Sequence, residues 1–374
     1  MGADGGQPYS GVILDDAGNL YGTTSVRGNV SACGLFHGCG VVYKLDPSGK
    51  ETVLHTFQGG LDGRQPQWGN LFRDRTGNLF DTTVYGGVGP YDTGGGVVYK
   101  LTKTGKETIL HSFAGGPEDG AEPQTGLIQD TAGTFYGTTA AGGSGPFGEC
   151  GTVFKMSKSG KATILHSFAI TDGCQPIGGL ATDAAGNMYG LTSSGGSAGL
   201  GTVFKITKTG KVTTLHSFTG EPDGSLPLGN LILDKAGNIY GTTPGGGDHN
   251  CTTEGQGCGI VFEIDTHGKE HILHSFLAPE GGGPYAWLVL DAAGNLYGTT
   301  SGFAAHNWGS IFKLDKKGTF TKLYDFTGGA DGGFSFSGMT QDKAGNLYGT
   351  TQLGGLAGGC DDRSGCGVVF KLTP

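Results

Sequence analysis

What this chain lacks narrows it first. No apolar run approaches eighteen residues, so no segment has the length of a membrane-spanning helix. No stretch keeps a convincing 3.6-residue apolar period, so helix is not expected anywhere. Positive charge is in the minority: 24 Lys and Arg stand against 33 Asp and Glu, a net charge of -9, which argues against a nucleic-acid partner. Met1-Gly-Ala-Asp-Gly-Gly has neither the charged n-region nor the apolar h-region of a signal peptide. There is no Gly-x-Ser-x-Gly elbow on a strand–helix turn, no His-Glu-x-x-His and no phosphate loop.

Glycine is what the chain has in excess, 78 of 374 residues, about three times the usual share. Without a three-residue period this is not collagen, and the regular apolar segments between glycines exclude disorder. The glycines belong to a repeat. Gly18-Asn-Leu-Tyr-Gly-Thr-Thr24 recurs with small changes around Tyr21, Phe80, Tyr136, Tyr189, Tyr240, Tyr297 and Tyr348. A fixed period of this size signals a propeller or a solenoid, and it overrides the division into several domains that length alone suggests.

Each unit holds four short segments. An apolar run ends in Asp, as in Gly11-Val-Ile-Leu-Asp15; a tight turn (Ala-Gly-Asn) leads to Leu-Tyr-Gly-Thr-Thr. A variable Gly-rich loop follows, then Gly40-Val-Val-Tyr-Lys-Leu45, a second tight turn, and Thr52-Val-Leu-His-Thr-Phe57. β-Branched and aromatic residues bounded by Gly, Asn, Asp and Pro predict strands. Seven units of four strands, A to D from axis to rim, predict an all-β fold: one seven-bladed β-propeller over residues 1–374 with four-stranded antiparallel blades. The A–B and C–D turns are short and nearly invariant. The B–C loops vary most, and with the D–A links they form the opposite end, where function is expected.

Eight cysteines all fall at that end. An even count in loop pairs, with no histidine or further cysteine at zinc-finger spacing, predicts disulfides in an oxidising compartment: Cys33–Cys39, Cys150–Cys174, Cys251–Cys258 and Cys360–Cys366. The expected location is therefore secreted, cell-surface or periplasmic, with any leader outside this chain.

The seventh unit ends at Gly367-Val-Val-Phe-Lys-Leu372 without a Leu-His-Ser-Phe segment. The start, Gly2-Ala-Asp4-Gly, aligns with the link that follows strand D elsewhere. The last blade is thus expected to lack its outer strand, with the missing strand immediately upstream of Met1. The protein is expected to be a monomer whose open edge can self-associate.

The repeated Gly-Asn-Leu-Tyr-Gly-Thr-Thr, Gly-x-Val-Phe-Lys-Leu and Leu-His-Ser-Phe segments resemble the Gloeo/Verruco ("GloVer") tandem repeat over almost the whole chain. The resemblance implies an exported bacterial protein, often with a C-terminal sorting or anchoring segment; none occurs within residues 1–374. It implies no reaction.

Repetition also sorts the candidate site residues, because a single active site needs one copy of its catalytic group. Asp4, Asp62, Asp119, Asp172, Asp223 and Asp331, with Glu280, recur in the D–A links and read as turn carboxylates accepting backbone N–H bonds; the functional reading is a ring holding cations. His55, His111, His166, His216 and His274, with Tyr324, recur in strand D and read as interblade hydrogen-bond donors. The unique residues stand apart. His37, His249 and His306 lie in B–C loops, Asp81 replaces the motif glycine, Tyr85 and Tyr91 decorate the same unit, and Arg64 follows its Asp-Gly turn. Trp68, Trp287, Trp308, Phe334 and Phe336 fall at the loop end or on its adjoining inner strands, where Trp68 and Trp287 could also plug the channel.

Flat aromatics with a few charged groups predict an extended ligand, a glycan, held by His37, Trp68, Tyr91, Trp287, Trp308, Phe334 and Phe336. The alternative is a polysaccharide lyase or hydrolase on the same face, with His249, His306, Tyr85, Arg64 and Asp81 as catalytic candidates. No cofactor or metal is required by either; a structural or ligand-bridging cation such as calcium would suit a uronate.

Overall fold

The computed structural model describes residues 4–31, 33, 38–89, 94–145, 150–247, 251, 257–303, 305–355 and 365–374. Blade 1 is built from strands A (Ile13–Leu14), B (Leu20–Thr24), C (Val41–Leu45) and D (Glu51–Thr56), paired antiparallel in that order. Blades 2 to 6 repeat the pattern over 72–112, 128–167, 181–217, 232–275 and 289–325. Blade 7 has three strands, Thr340–Gln341, Leu347–Thr351 and Val368–Leu372. The described residues contain no α-helix, only short 3-10 turns at Gly60–Asp62 and Ala278–Glu280. This is the seven-bladed propeller expected from the repeat, with the three-stranded last blade.

Inner strands are only two residues long because an Asp stops each. The Asp15 carboxylate accepts the N–H groups of Ala17 (3.0 Å) and Asn19 (2.9 Å), and the Tyr21 hydroxyl donates to it at 3.1 Å. The same turn closes blades 3 to 7 around Asp130, Asp183, Asp234, Asp291 and Asp342. Burial pushes the Asp183 carboxyl up, but its bonds from Asn187 and Tyr189 outweigh burial and hold it below the usual range.

Blades adhere through aromatic edges. The Phe that ends each Leu-His-Ser-Phe segment is at most 1% exposed and meets the strand C ring of the next blade: Phe57 with Tyr99 at 5.2 Å, Phe168 with Phe204 at 5.0 Å, Phe326 with Phe370 at 5.4 Å. Large buried rings at the six borders that follow a complete blade add to the apolar burial that holds the ring of blades. The Thr-Thr pair divides its bonds. The first Thr reaches the next blade, as Thr242 Oγ1 to the Ala286 carbonyl and Thr350 Oγ1 to the Ser10 carbonyl, both 2.9 Å. The second caps its own strand end, as Thr83 Oγ1 to the Tyr85 carbonyl at 2.9 Å. The Thr350–Ser10 bond and the Gln7 N–H to Cys366 carbonyl bond (2.8 Å) join blade 7 to blade 1 at the inner wall.

The repeated histidines differ from the expectation in one respect. Their common partner is the carboxylate of the link that follows in the same unit: His166 Nε2 lies 2.8 Å from Asp172, and His216 Nε2 lies 3.1 Å from Asp223. The cause is proximity along the chain, since the link turns back over strand D. In blade 6 the Tyr324 hydroxyl donates to Asp331 at 3.0 Å in the same way.

Candidate ligand-binding face

D–A links and B–C loops do meet at one end. In blade 1 Gly6 bridges Val26, in blade 2 Arg64 bridges Tyr85, and in blade 7 Gly333 bridges Leu353. One residue in every link stitches this end together. Gln7, Gln65, Glu122, Gln175, Leu226 and Phe334 all adopt φ between 53° and 56°, and Gly283 takes the seventh place at 60°. Each donates its N–H to the loop of the preceding blade, as Gln65 to the Cys39 carbonyl (2.9 Å) and Phe334 to the Trp308 carbonyl (2.9 Å). Most accept from their own blade's loop, as Gln65 from Val84 at 3.2 Å. A left-handed conformation costs a non-glycine residue roughly 1 kcal/mol or more, and the paired bonds hold it there.

Two residues after the left-handed position in most links stands a half-buried side chain. In blades 3, 4 and 5 it is Gln124, Ile177 and Leu228; in blades 6, 7 and 1 it is Tyr285, Phe336 and Tyr9. The blade 2 link has one extra residue, and Trp68 occupies it with φ 60°, an outlier for an aromatic residue. These rings form one chain: Trp308 to Phe334 (5.0 Å), Phe334 to Phe336 (6.4 Å), Phe336 to Tyr9 (5.9 Å) and Tyr9 to Trp68 (5.1 Å), with Tyr285 on Phe336 at 5.1 Å. Each is half-buried, so each keeps solvent-facing area. The Gln352 side-chain amide donates to the Tyr9 hydroxyl. Burial raises the phenol pKa of both Tyr9 and Tyr285, which keeps them neutral donors. The structure therefore joins Trp68, Trp308, Phe334 and Phe336. It adds Tyr9 and Tyr285, which sequence reasoning missed although each follows a link proline in the place Phe336 occupies.

Trp287 packs tightly against backbone rather than standing free. Its indole lies across the inner strands of the neighbouring blades, where a Cβ on Gly11 would come within 2.7 Å of it and one on Gly338 would collide with it. Trp308 also fills space, lying against Gly328 and Gly333. Beside it, the blade 6 loop breaks the repeat: Phe303 (φ 61°) and Asn307 (φ 63°) stand where most blades have left-handed glycines, and Phe303 is 39% exposed. The Phe303 N–H donates to Asn307 Oδ1 at 3.1 Å, and His306 between them is exposed.

The proposed catalytic residues are spread. Arg64 and Tyr85 belong to blade 2, where the guanidinium lies 5.3 Å from the ring centroid. Burial raises the Tyr85 phenol, with Glu122 adding to it and Arg64 opposing. Asp81 is in the same blade but only 1% exposed, with neither carboxylate oxygen hydrogen-bonded. Burial pushes it up to about 8. It stands opposite Tyr99 across the strand pair, and Gly69 gives it room, since a Cβ there would lie 2.6 Å from Asp81 Oδ1. His37, Tyr91 and His249 lie outside the described residues.

Three predicted disulfides are present, Cys33–Cys39, Cys150–Cys174 and Cys251–Cys258. Cys366 is also disulfide-bonded, and its expected partner Cys360 lies outside the described residues. Among the described residues, two side-chain groups have the composition of a cation site, His55–Asp62–Glu107 and His216–Asp223–Glu270, each with ligand atoms within 4.8 Å. Both sit between neighbouring blades, where strand D of the second blade brings a Glu to the His–Asp pair of the first. A cleft of about 220 Å³ between blades 3 and 4 lies at the turn end, away from the aromatic rings, and is lined by turn residues such as Asp130 and Asp183. No described helix is long and apolar enough to cross a membrane.

Fold and face together define a tandem-repeat propeller with an aromatic arc at its loop end. The model of the Gloeobacter/Verrucomicrobia repeat matches residues 8–254 and 252–374, and the chain belongs to that family. No curated protein sequence matches it. Among solved structures it is similar to virginiamycin B lyase from Staphylococcus aureus, at 14% identity and TM-score 0.58, over 92% of each chain. It is also similar to the extracellular domain of a one-component system of B. thetaiotaomicron, at 10% identity and TM-score 0.59, over 94% of this chain and 38% of that one. At these identities the likeness is one of fold. The disulfides agree with an oxidising, extracellular or periplasmic compartment.

Proposed function

We propose that this is a secreted β-propeller that binds an extended glycan across the face formed by the B–C loops and D–A links. The observation that carries the reading is the run of half-buried rings from Trp308 through Phe334, Phe336 and Tyr9 to Trp68, which crosses four consecutive blades. Aromatic faces take the apolar C–H faces of sugars, and the tyrosine hydroxyls and Gln352 supply hydrogen bonds at the edge. Arg64, stacked on Tyr85, offers a cation to an acidic sugar at the arc's blade 2 end. A calcium ion bridging protein and uronate would serve acidic glycans only.

A panel of neutral and acidic polysaccharides, assayed for retention and for new reducing or unsaturated ends, tests this. Retention without new ends is expected. New ends would establish the lyase or hydrolase reading instead, and no retention on any glycan would defeat the proposal.

A further inference from the structure

Blade 7 ends at strand C, and the six complete blades show what such an edge is shaped to receive. In each of them strand D adds along strand C and delivers two side chains to the next blade's border. Its His (Tyr324 in blade 6) meets the link carboxylate, and its Phe meets the next blade's strand C ring. At the blade 1–2 border these are His55 with Asp62 (3.3 Å) and Glu107 (3.6 Å), and Phe57 with Tyr99 (5.2 Å).

The blade 7–1 border holds the receiving half of that arrangement. Asp4 takes the place of Asp62, Glu51 that of Glu107, and Tyr43 that of Tyr99. Burial, with Asp4 nearby, pushes Glu51 up to about 7, so two carboxylates face each other without a histidine between them. Tyr43 is buried as Tyr99 is, and neither hydroxyl has a hydrogen-bond partner, so the two places match. Asp4, Glu51 and Tyr43 line a cleft of about 250 Å³ with Gly367, Val368 and Val369 of the edge strand. Val368, Val369 and Phe370 are only half-buried, whereas Val97, Val98 and Tyr99 in blade 2 are 0% exposed. In every complete blade the closing Phe donates its N–H to the glycine before strand C, as Phe57 to Gly40 (3.1 Å) and Phe218 to Gly201 (3.0 Å); the Gly367 carbonyl, in the same place, has no such donor among the described residues.

We propose that the open edge of blade 7, with Asp4, Glu51 and Tyr43, is an acceptor site for one extended peptide strand carrying a Leu-His-Ser-Phe segment. Backbone bonds to Val368–Leu372 supply affinity, and the His and Phe pockets fix register. The six strand D segments of this chain are engaged in their own blades, so the occupant comes from outside residues 1–374. A second copy pairing edge to edge would leave the histidine's place unfilled, because Val368–Leu372 carries no histidine.

The probe is a synthetic peptide with the sequence of Val212–Phe218, labelled and titrated into the 374-residue chain, with melting followed in parallel. One-to-one saturable binding and a raised melting temperature are expected. Peptides with His216→Ala or Phe218→Ala should each bind about tenfold or more weakly. Glu51→Gln in the protein should weaken the parent peptide while leaving the His216→Ala peptide unchanged, a double-mutant test that does not depend on overall stability. The proposal is overturned by no binding at millimolar peptide, by equal binding of a peptide with His and Phe exchanged, or by an edge-to-edge dimer that the peptide does not disperse.

Discussion

The two ends of this propeller obey different rules. At the turn end the same Asp–Asn–Tyr hydrogen bonds recur blade after blade, around Asp15, Asp183 and Asp342 alike. At the loop end the backbone stitch recurs but the side chains do not. The position two residues beyond it is Gln, Ile or Leu in blades 3 to 5 and aromatic in blades 6, 7 and 1, with Trp68 inserted in blade 2. Repetition therefore fixes the backbone at both ends and leaves only the loop end free to specialise. Within the loop end, departures from the repeat cluster in the aromatic arc and its flanks: the extra residue at Trp68 and the left-handed Phe303 and Asn307.

The contrast can be broken most severely from the scaffold side. Phe218→Ala removes a fully buried ring at the blade 4–5 border and should destabilise by about 3–5 kcal/mol in denaturant titrations. A loss below about 1 kcal/mol would mean that the blades are not held by these rings.

Asp81 gives the next effect, and its direction depends on pH. Unfolded, its carboxyl ionises near pH 4; folded, at about 8. Between those values the folded state keeps the proton that the unfolded state has lost, so stability falls as pH rises through the window. Asp81→Asn should stabilise by something of the order of 4 kcal/mol at pH 8 and by almost nothing near pH 4. Melting curves at the two pH values check it, and an equal gain at both would show that the carboxyl is not buried as a neutral acid.

His166→Ala should cost about 1–2 kcal/mol at neutral pH. Burial raises the Asp172 carboxyl, but bonds from His166 and the Ala169 N–H outweigh that and hold it low. Its contribution is present above about pH 4 and fades as pH falls through the folded value, so the variant should differ least from the parent in acid. Glycan retention should be unchanged, and its loss in a folded variant would place function on the scaffold.

Trp68→Ala should weaken glycan retention about tenfold or more with a smaller loss of stability than Phe218→Ala. Trp308→Ala is a less clean test than its loop position suggests, because the indole packs against Gly328 and Gly333 as well as Phe334. The smallest stability effect belongs to His306→Ala, within about 0.5 kcal/mol, since the side chain is exposed; any loss of retention there would extend the arc onto the blade 6 loop.

The sequence by itself determined the architecture. Seven copies of one strand–turn pattern admit few ways to bury their apolar faces, so blade number, strand order, the three-stranded last blade and the two local bridges Cys33–Cys39 and Cys251–Cys258 follow from period and spacing. The repeated Asp and Thr residues were legible as scaffold for the same reason. Tertiary structure alone decided which unique residues meet. Tyr9 and Trp68 are far from Phe336 and Trp308 in the chain, and only ring closure makes them neighbours. It also separated Asp81 from the surface, because a strand B side chain opposite Tyr99 points into a blade whose faces are both covered. A repeat specifies its contacts through spacing, and spacing is visible in one dimension. A site assembled from the exceptions to the repeat depends on which exceptions share a border, and the folding of the chain into a circle sets that.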